Sequence, residues 1–187
     1  TVTRRQRQMC IRDRIVAEEI QAEEDNFVAA LEWGEQNGAD IAVSSLGYSD
    51  WYEYEDMDGN TAVTTIAVDI AASLGVLCVT SAGNMGNDPW NYIMAPADAD
   101  SVISVGAVYL NGDISYFSSN GPTFDGRIKP EVCALGVSTF CVRSNTVSDY
   151  RTASGTSLSS PLVGGAAAVI LSANLNLTAM QIRQALM

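Results

Sequence analysis

Residues 61–84 read TAVTTIAVDIAASLGVLCVTSAGN, and this stretch decides the fold class. Val63, Ile66, Ala67, Ile70 and Leu74 recur at helical spacing, so residues 61–74 are expected to form a helix with these side chains on one face. Gly75 ends it. Val76 to Thr80 (VLCVT) is a continuous apolar run, the pattern of a strand buried on both faces. Ser81-Ala82-Gly83-Asn84 then leaves the strand as a tight polar turn.

The same alternation continues on either side. Upstream, Phe27, Ala30, Leu31 and Gly34 predict a helix over 26–37, closed by Asn37-Gly38. Asp40 to Ser45 (DIAVSS) predicts a short buried strand, followed by Leu46-Gly47. An acidic, aromatic loop spans Ser49 to Asn60. Downstream, Val102 to Val108 (VISVGAV) is a third buried strand. Strand–helix–strand units with continuous apolar strands imply an α/β fold, a parallel sheet covered by helices on both faces. Ligands of such sheets sit at the carboxyl ends of the strands. That directs attention to Ser45, Leu46 and Gly47, and to Ser81, Ala82, Gly83 and Asn84.

The second half is more irregular. Asn111-Gly112-Asp113 is a turn signal. Glu131–Ala134, Ser138–Val142 and Tyr150–Ala153 are short strand candidates. A small, apolar helix is expected from Ser157 to about Ser172, with Pro161 in its first turn. A last helix opens at Thr178, whose spacing to Gln181 suits a capping box.

Composition bounds the chemistry. The 187 residues carry a formal net charge of −12 and no histidine. Residues 1–14 hold five of the ten basic residues and one acid, leaving five basic and 21 acidic residues, a net −16, in residues 15–187. Such a body repels nucleic acid and anionic lipid, so neither is an expected partner. The basic head lacks the apolar core of a signal peptide. It reads as foreign sequence at a cloning or read junction, with a nucleic-acid arm as the other reading. The longest strongly apolar stretch, Gly164–Leu171, falls short of the roughly 18 residues that span a bilayer. Of the four cysteines (Cys10, Cys78, Cys133 and Cys141), none forms a C-x-x-C pair, so no zinc site is expected. Cys78 reads as a buried small hydrophobe, and Cys133 and Cys141 could form a disulfide in a secreted protein. Asp56-x-Asp58-Gly59-Asn60 resembles the opening of a calcium loop but lacks the closing Glu, and reads as a solvated turn.

Ser157 is the centre of the functional argument. It follows Gly155-Thr156 and opens a helix, where free N–H groups and the dipole favour negative charge. A serine there can also be a simple N-cap. Asn84 carries a side-chain amide able to donate to an oxyanion; alone, it could be a turn asparagine.

Together these segments resemble the subtilisin-like (S8) serine peptidases. Gly155-Thr156-Ser157-Leu158-Ser159-Ser160-Pro161 matches the family's nucleophile motif. Ser81–Asn84 matches its oxyanion segment. Ser44–Gly47 matches the strand that pairs with substrate. PADADSVISVGAV, YFSSNGP and IKPEVCALG add further similarity in family order. The resemblance implies a three-layer fold with a mostly parallel sheet, with Ser157 as nucleophile and Asn84 as oxyanion donor. It also implies that Ser45, Leu46, Gly47, Ser81, Ala82 and Gly83 bind polypeptide substrate. It implies no required cofactor, calcium as an optional structural ion, and secretion. Oligomeric state is left open.

Leu135 and Leu162 depart from the family pattern at positions that do no chemistry. The family's Asp-x-Gly and His-Gly-Thr-His segments are absent. Because the triad order is Asp, His, Ser, residues 15–187 are expected to be the later part of a peptidase domain, inactive and unstable alone, with an uncovered sheet edge. A catalytically dead binding domain is the alternative. An α/β-hydrolase is disfavoured, because Ser159 replaces the last Gly of G-x-S-x-G and no His follows. No nucleotide-binding motif follows any strand. The small walls at 45–47 and 81–83 predict a sizeable uncharged P1 side chain.

Overall fold

The computed structural model describes residues 20–143 and 146–187. The basic head and Cys10 lie outside the described residues. Four strands form one parallel sheet in the order β1 (Ile41–Ser44), β2 (Leu77–Ser81), β3 (Ile103–Val108) and β4 (Val132–Leu135). A separate antiparallel ribbon joins β5 (Thr139–Val142) to β6 (Tyr150–Ala153). The helices are α1 (Ala22–Gln36), α2 (Val63–Ser73), α3 (Thr156–Ala173) and α4 (Ala179–Leu186).

The two-residue period of the strands builds two cores. Leu77, Val79, Ile103 and Val105 face α3 and α4, where Val163, Ala167 and Ile182 close over them. Val76, Cys78 and Val102 face the other way, toward Leu31 of α1 and Val68 and Ala71 of α2. The sheet is thus covered on both faces, as the alternation of elements predicts.

The face of α2 that reaches the sheet differs from the apolar row read in the sequence. Val63, Ile66, Ile70 and Leu74 are exposed, while Thr64, Thr65, Val68, Ala71 and Ala72 are buried. The helix is apolar nearly all round, so periodicity alone cannot choose its inner side. Its small residues face inward and allow close approach to the sheet. Both predicted glycine stops hold: Gly38 and Gly75 follow α1 and α2 at φ +78° and +102°. Thr178 caps α4 through the predicted box with Gln181.

α3 is long and apolar enough to cross a membrane by length and composition, at 18 residues, contrary to the shorter apolar stretch read in the sequence. It lies instead along the sheet, packed against all four parallel strands. Its outer flank leaves Leu162 and Val169 exposed, and β1 forms one edge of the sheet with Val43 exposed. Pro161 is the sixth residue of α3, not part of its first turn. There it removes the N–H that would otherwise bond the Ser157 carbonyl.

The acidic, aromatic loop is tied down by a buried carboxylate. Glu24 accepts from Trp51 Nε1 at 2.7 Å, from the Tyr52 hydroxyl at 2.9 Å and from Thr64 Oγ1 at 3.2 Å. Within that loop the Asp58 carboxylate accepts from the Asn60 and Thr61 amides at 2.7 and 2.9 Å, an Asx turn. Among the described residues, no group of three or more His, Cys, Asp or Glu could hold a metal ion. Cys78, Cys133 and Cys141 are free thiols, so the Cys133–Cys141 bridge is not formed. Burial pushes the Cys78 thiol up to about 12, in keeping with an inert core residue.

Candidate active site

The carboxyl ends of β1 and β2 bring their following turns to the N-terminus of α3. The serines of the Ser157–Ser160 run fasten that helix to the sheet. Ser160 Oγ donates to the Ser44 carbonyl at 3.2 Å, and Ser159 Oγ donates to the Ala134 carbonyl at 3.0 Å. From the other side, Ser45 Oγ donates to the Ser157 carbonyl at 3.1 Å. One helix start is thereby joined to the ends of β1 and β4.

The N-cap of α3 is Gly155, at φ +149° and ψ 154°, so Ser157 is the second helical residue and not the cap. That removes the bland account of this serine. A backbone N–H at this position has no intrahelical acceptor and is free for an external anion. Ser157 is half-buried and Asn84 is exposed.

The orientation of the Asn84 amide is fixed by its neighbour. Its Oδ1 accepts from the Thr156 N–H at 2.8 Å and from the Thr156 hydroxyl at 3.0 Å. A backbone N–H can only donate, so the atom facing it must be oxygen, and Nδ2 is turned the other way. A Cβ at Gly155 would sit 3.7 Å from Asn84 Oδ1, 3.8 Å from its Nδ2 and 3.8 Å from the Ser157 nitrogen. These are ordinary contact distances, so it is the φ of +149° rather than crowding that favours glycine here.

Ser119 steadies this turn. Its N–H donates to the Gly83 carbonyl at 3.0 Å, and its hydroxyl accepts from the Met85 N–H at 3.0 Å. Of the other predicted site residues, Ser45 and Leu46 are exposed and Gly47 is half-buried, whereas Ser81, Ala82 and Gly83 are buried. Ser81 is the last residue of β2. Thr156 and Ser119 were not singled out in the sequence. Thr156 stands beside Ser157 in its motif, but its partner lies 72 residues away.

A sequence profile of the Subtilase family (peptidase S8) matches residues 14–187. Subtilisin DY of Bacillus licheniformis is 42% identical over 162 residues, covering 86% of this chain and 53% of that protein. Serine protease AprX of Bacillus subtilis (strain 168) is 34% identical over 166 residues, covering 79% of this chain and 37% of that protein. Among solved structures, Sphericase superposes with a TM-score of 0.71 at 29% identity, covering 86% of this chain and 53% of that one. The chain spans about half the length of Subtilisin DY and of Sphericase. The matching segments, the parallel sheet and the fold similarity agree: this chain belongs to the Subtilase family of serine peptidases.

Proposed function

We propose that the intact protein is a serine endopeptidase in which Ser157 is the nucleophile and Asn84 an oxyanion donor. The observation that carries this reading is the pinning of Asn84 by Thr156, which turns the amide nitrogen away from the Thr156 N–H while Asn84 and the Ser157 N–H both border Gly155. A side-chain amide and a backbone N–H bordering the same glycine, next to a serine, suit a tetrahedral oxyanion.

Ser157 Oγ attacks the carbonyl carbon of a peptide bond, and a general base takes its proton. These 187 residues contain no histidine, so that base comes from a part of the domain outside them. Asn84 Nδ2 and the Ser157 N–H hold the oxyanion. The C–N bond breaks, the amine leaves with the proton, and an acyl-serine ester remains. Water then hydrolyses the ester by the reverse proton route. All the groups this needs are amino-acid side chains and backbone, so no cofactor is required. Substrates are polypeptides laid along residues 45–47, and the acidic body suits a secreted enzyme.

The test is hydrolysis of a peptide substrate by the full-length protein and by its Ser157→Ala variant. Cleavage that disappears in the variant supports the reading. Cleavage that persists at the wild-type rate overturns it. A folded full-length protein that cleaves nothing favours a non-catalytic binding domain.

A further inference from the structure

We infer that Ser119 is a positioning residue for the reaction, acting through Asn84 by holding the two peptide units on either side of it. The inference rests on the role proposed above for Asn84. A side-chain amide is placed only as well as its Cα is held, and Asn84 sits in an exposed turn outside any helix or strand. Thr156 fixes one end of the side chain, at Oδ1. The backbone is fixed by a single residue. The Gly83 carbonyl belongs to the peptide unit that enters Asn84, and it accepts from the Ser119 N–H at 3.0 Å. The Met85 N–H belongs to the unit that leaves Asn84, and it donates to Ser119 Oγ at 3.0 Å. Peptide units are planar, so both soft backbone dihedrals of Asn84 lie between these two bonds.

Ser119 is a firm anchor for that turn. It is fully buried, and the residue before it is bonded to the sheet: Ser118 Oγ accepts from the Ala107 N–H of β3 at 3.1 Å. A third bond continues the contact, from the Gly86 N–H to the Phe117 carbonyl at 2.9 Å. A Cβ at Gly83 would meet Ser119 Oγ at 2.7 Å, and one at Gly86 would meet the Phe117 carbonyl carbon at 2.9 Å. The two glycines thus let the turn lie directly on residues 117–119. An alanine at 119 keeps the backbone bond to Gly83 but offers the Met85 N–H no acceptor. The turn keeps its course and Asn84 loses its restraint on one side.

The test is a cycle of four full-length enzymes, wild type, Ser119→Ala, Asn84→Ala and the double variant, assayed for kcat and KM on one peptide. Ser119→Ala lowers kcat by about 10- to 100-fold, the scale of a misplacement of up to about 1 Å, with KM within about twofold. In the Asn84→Ala background there is no amide left to misplace, so adding Ser119→Ala changes kcat by less than about twofold. A purely structural serine would give the same loss in both backgrounds. If Ser119→Ala folds poorly, Ser119→Cys carries the same cycle with a smaller loss, because a thiol is a weak acceptor. Equal losses in the two backgrounds, or a kcat unchanged by either Ser119 variant while Asn84→Ala lowers it, overturn the assignment of Ser119 alone. A kcat unchanged in Asn84→Ala overturns the role of Asn84, and this assignment with it.

Discussion

The Ser45 hydroxyl donates to the Ser157 carbonyl at 3.1 Å, joining residues 112 apart in sequence. Pro161 explains why that carbonyl is free. As the sixth residue of α3 it has no N–H to return to position 157. A helix defect four residues beyond the proposed nucleophile thus leaves its carbonyl to be tied to the turn after β1. Ser45→Ala should lower stability by about 0.5–1.5 kcal/mol, and Ser45→Thr should retain most of it. In a Pro161→Ala background the restored N–H competes for the carbonyl, so Ser45→Ala should cost less there. Urea unfolding of the four proteins in this cycle measures the coupling directly.

Removal of the Asn84 amide should act on kcat. Asn84→Ala in the full-length enzyme should lower kcat by about 10²–10³ with little change in KM, the magnitude known for the corresponding donor in subtilisin. Thr156→Val keeps the backbone bond to Asn84 Oδ1 but loses the hydroxyl one, so its loss should be smaller and again in kcat. A change confined to KM in either variant would mean that the amide contacts substrate in the ground state only.

A buried ion cluster should govern acid stability. Glu131 accepts from Lys129 Nζ at 2.5 Å, from Arg183 at 2.9 Å and from the amide and hydroxyl of Ser104 at 2.8 and 2.6 Å. Burial pushes the Glu131 carboxyl up, but the charge of Lys129 and the hydrogen bonds from Lys129 and Ser104 outweigh it. Its pKa therefore lies below the ordinary 4.5. A depressed carboxylate binds its proton more weakly when folded. Its stabilisation is complete above pH 4.5 and is lost as pH falls through the folded value. Glu131→Gln leaves Lys129 buried without its counter-charge and should cost about 3–5 kcal/mol at neutral pH. The variant should also show a shallower loss of stability on acidification, measured by denaturant unfolding at stepped pH.

Glu24 should matter more than its place on a surface helix implies. Glu24→Ala strands the Trp51, Tyr52 and Thr64 donors and should cost about 1–3 kcal/mol. Hydrogen exchange should then rise in residues 49–60 before it rises in the sheet.

The sequence made the layered α/β architecture legible because strands buried on both faces read as unbroken apolar runs, as in VLCVT at 76–80. Where a helix is apolar on several sides the pattern loses that power, and α2 turns Thr64, Val68 and Ala71 inward where periodicity marked Val63, Ile66 and Ile70. Ser157 and Asn84 could be singled out because their motifs are local. Thr156 and Ser119 could not, because each acquires its contacts from a partner far along the chain. Placement behaves the same way: nothing in NYIMAP marks Met94 as a neighbour of Gly47 and Gly83, and the pairing of Tyr48 with Ala95 brings it there.

The most direct measurement is covalent labelling of the full-length protein with a fluorophosphonate, followed by peptide mass spectrometry. The account predicts one phosphonyl adduct, on Ser157, formed much more slowly in Asn84→Ala and absent in Ser157→Ala. An active protein that labels on another residue, or that keeps its label in Ser157→Ala, would contradict it.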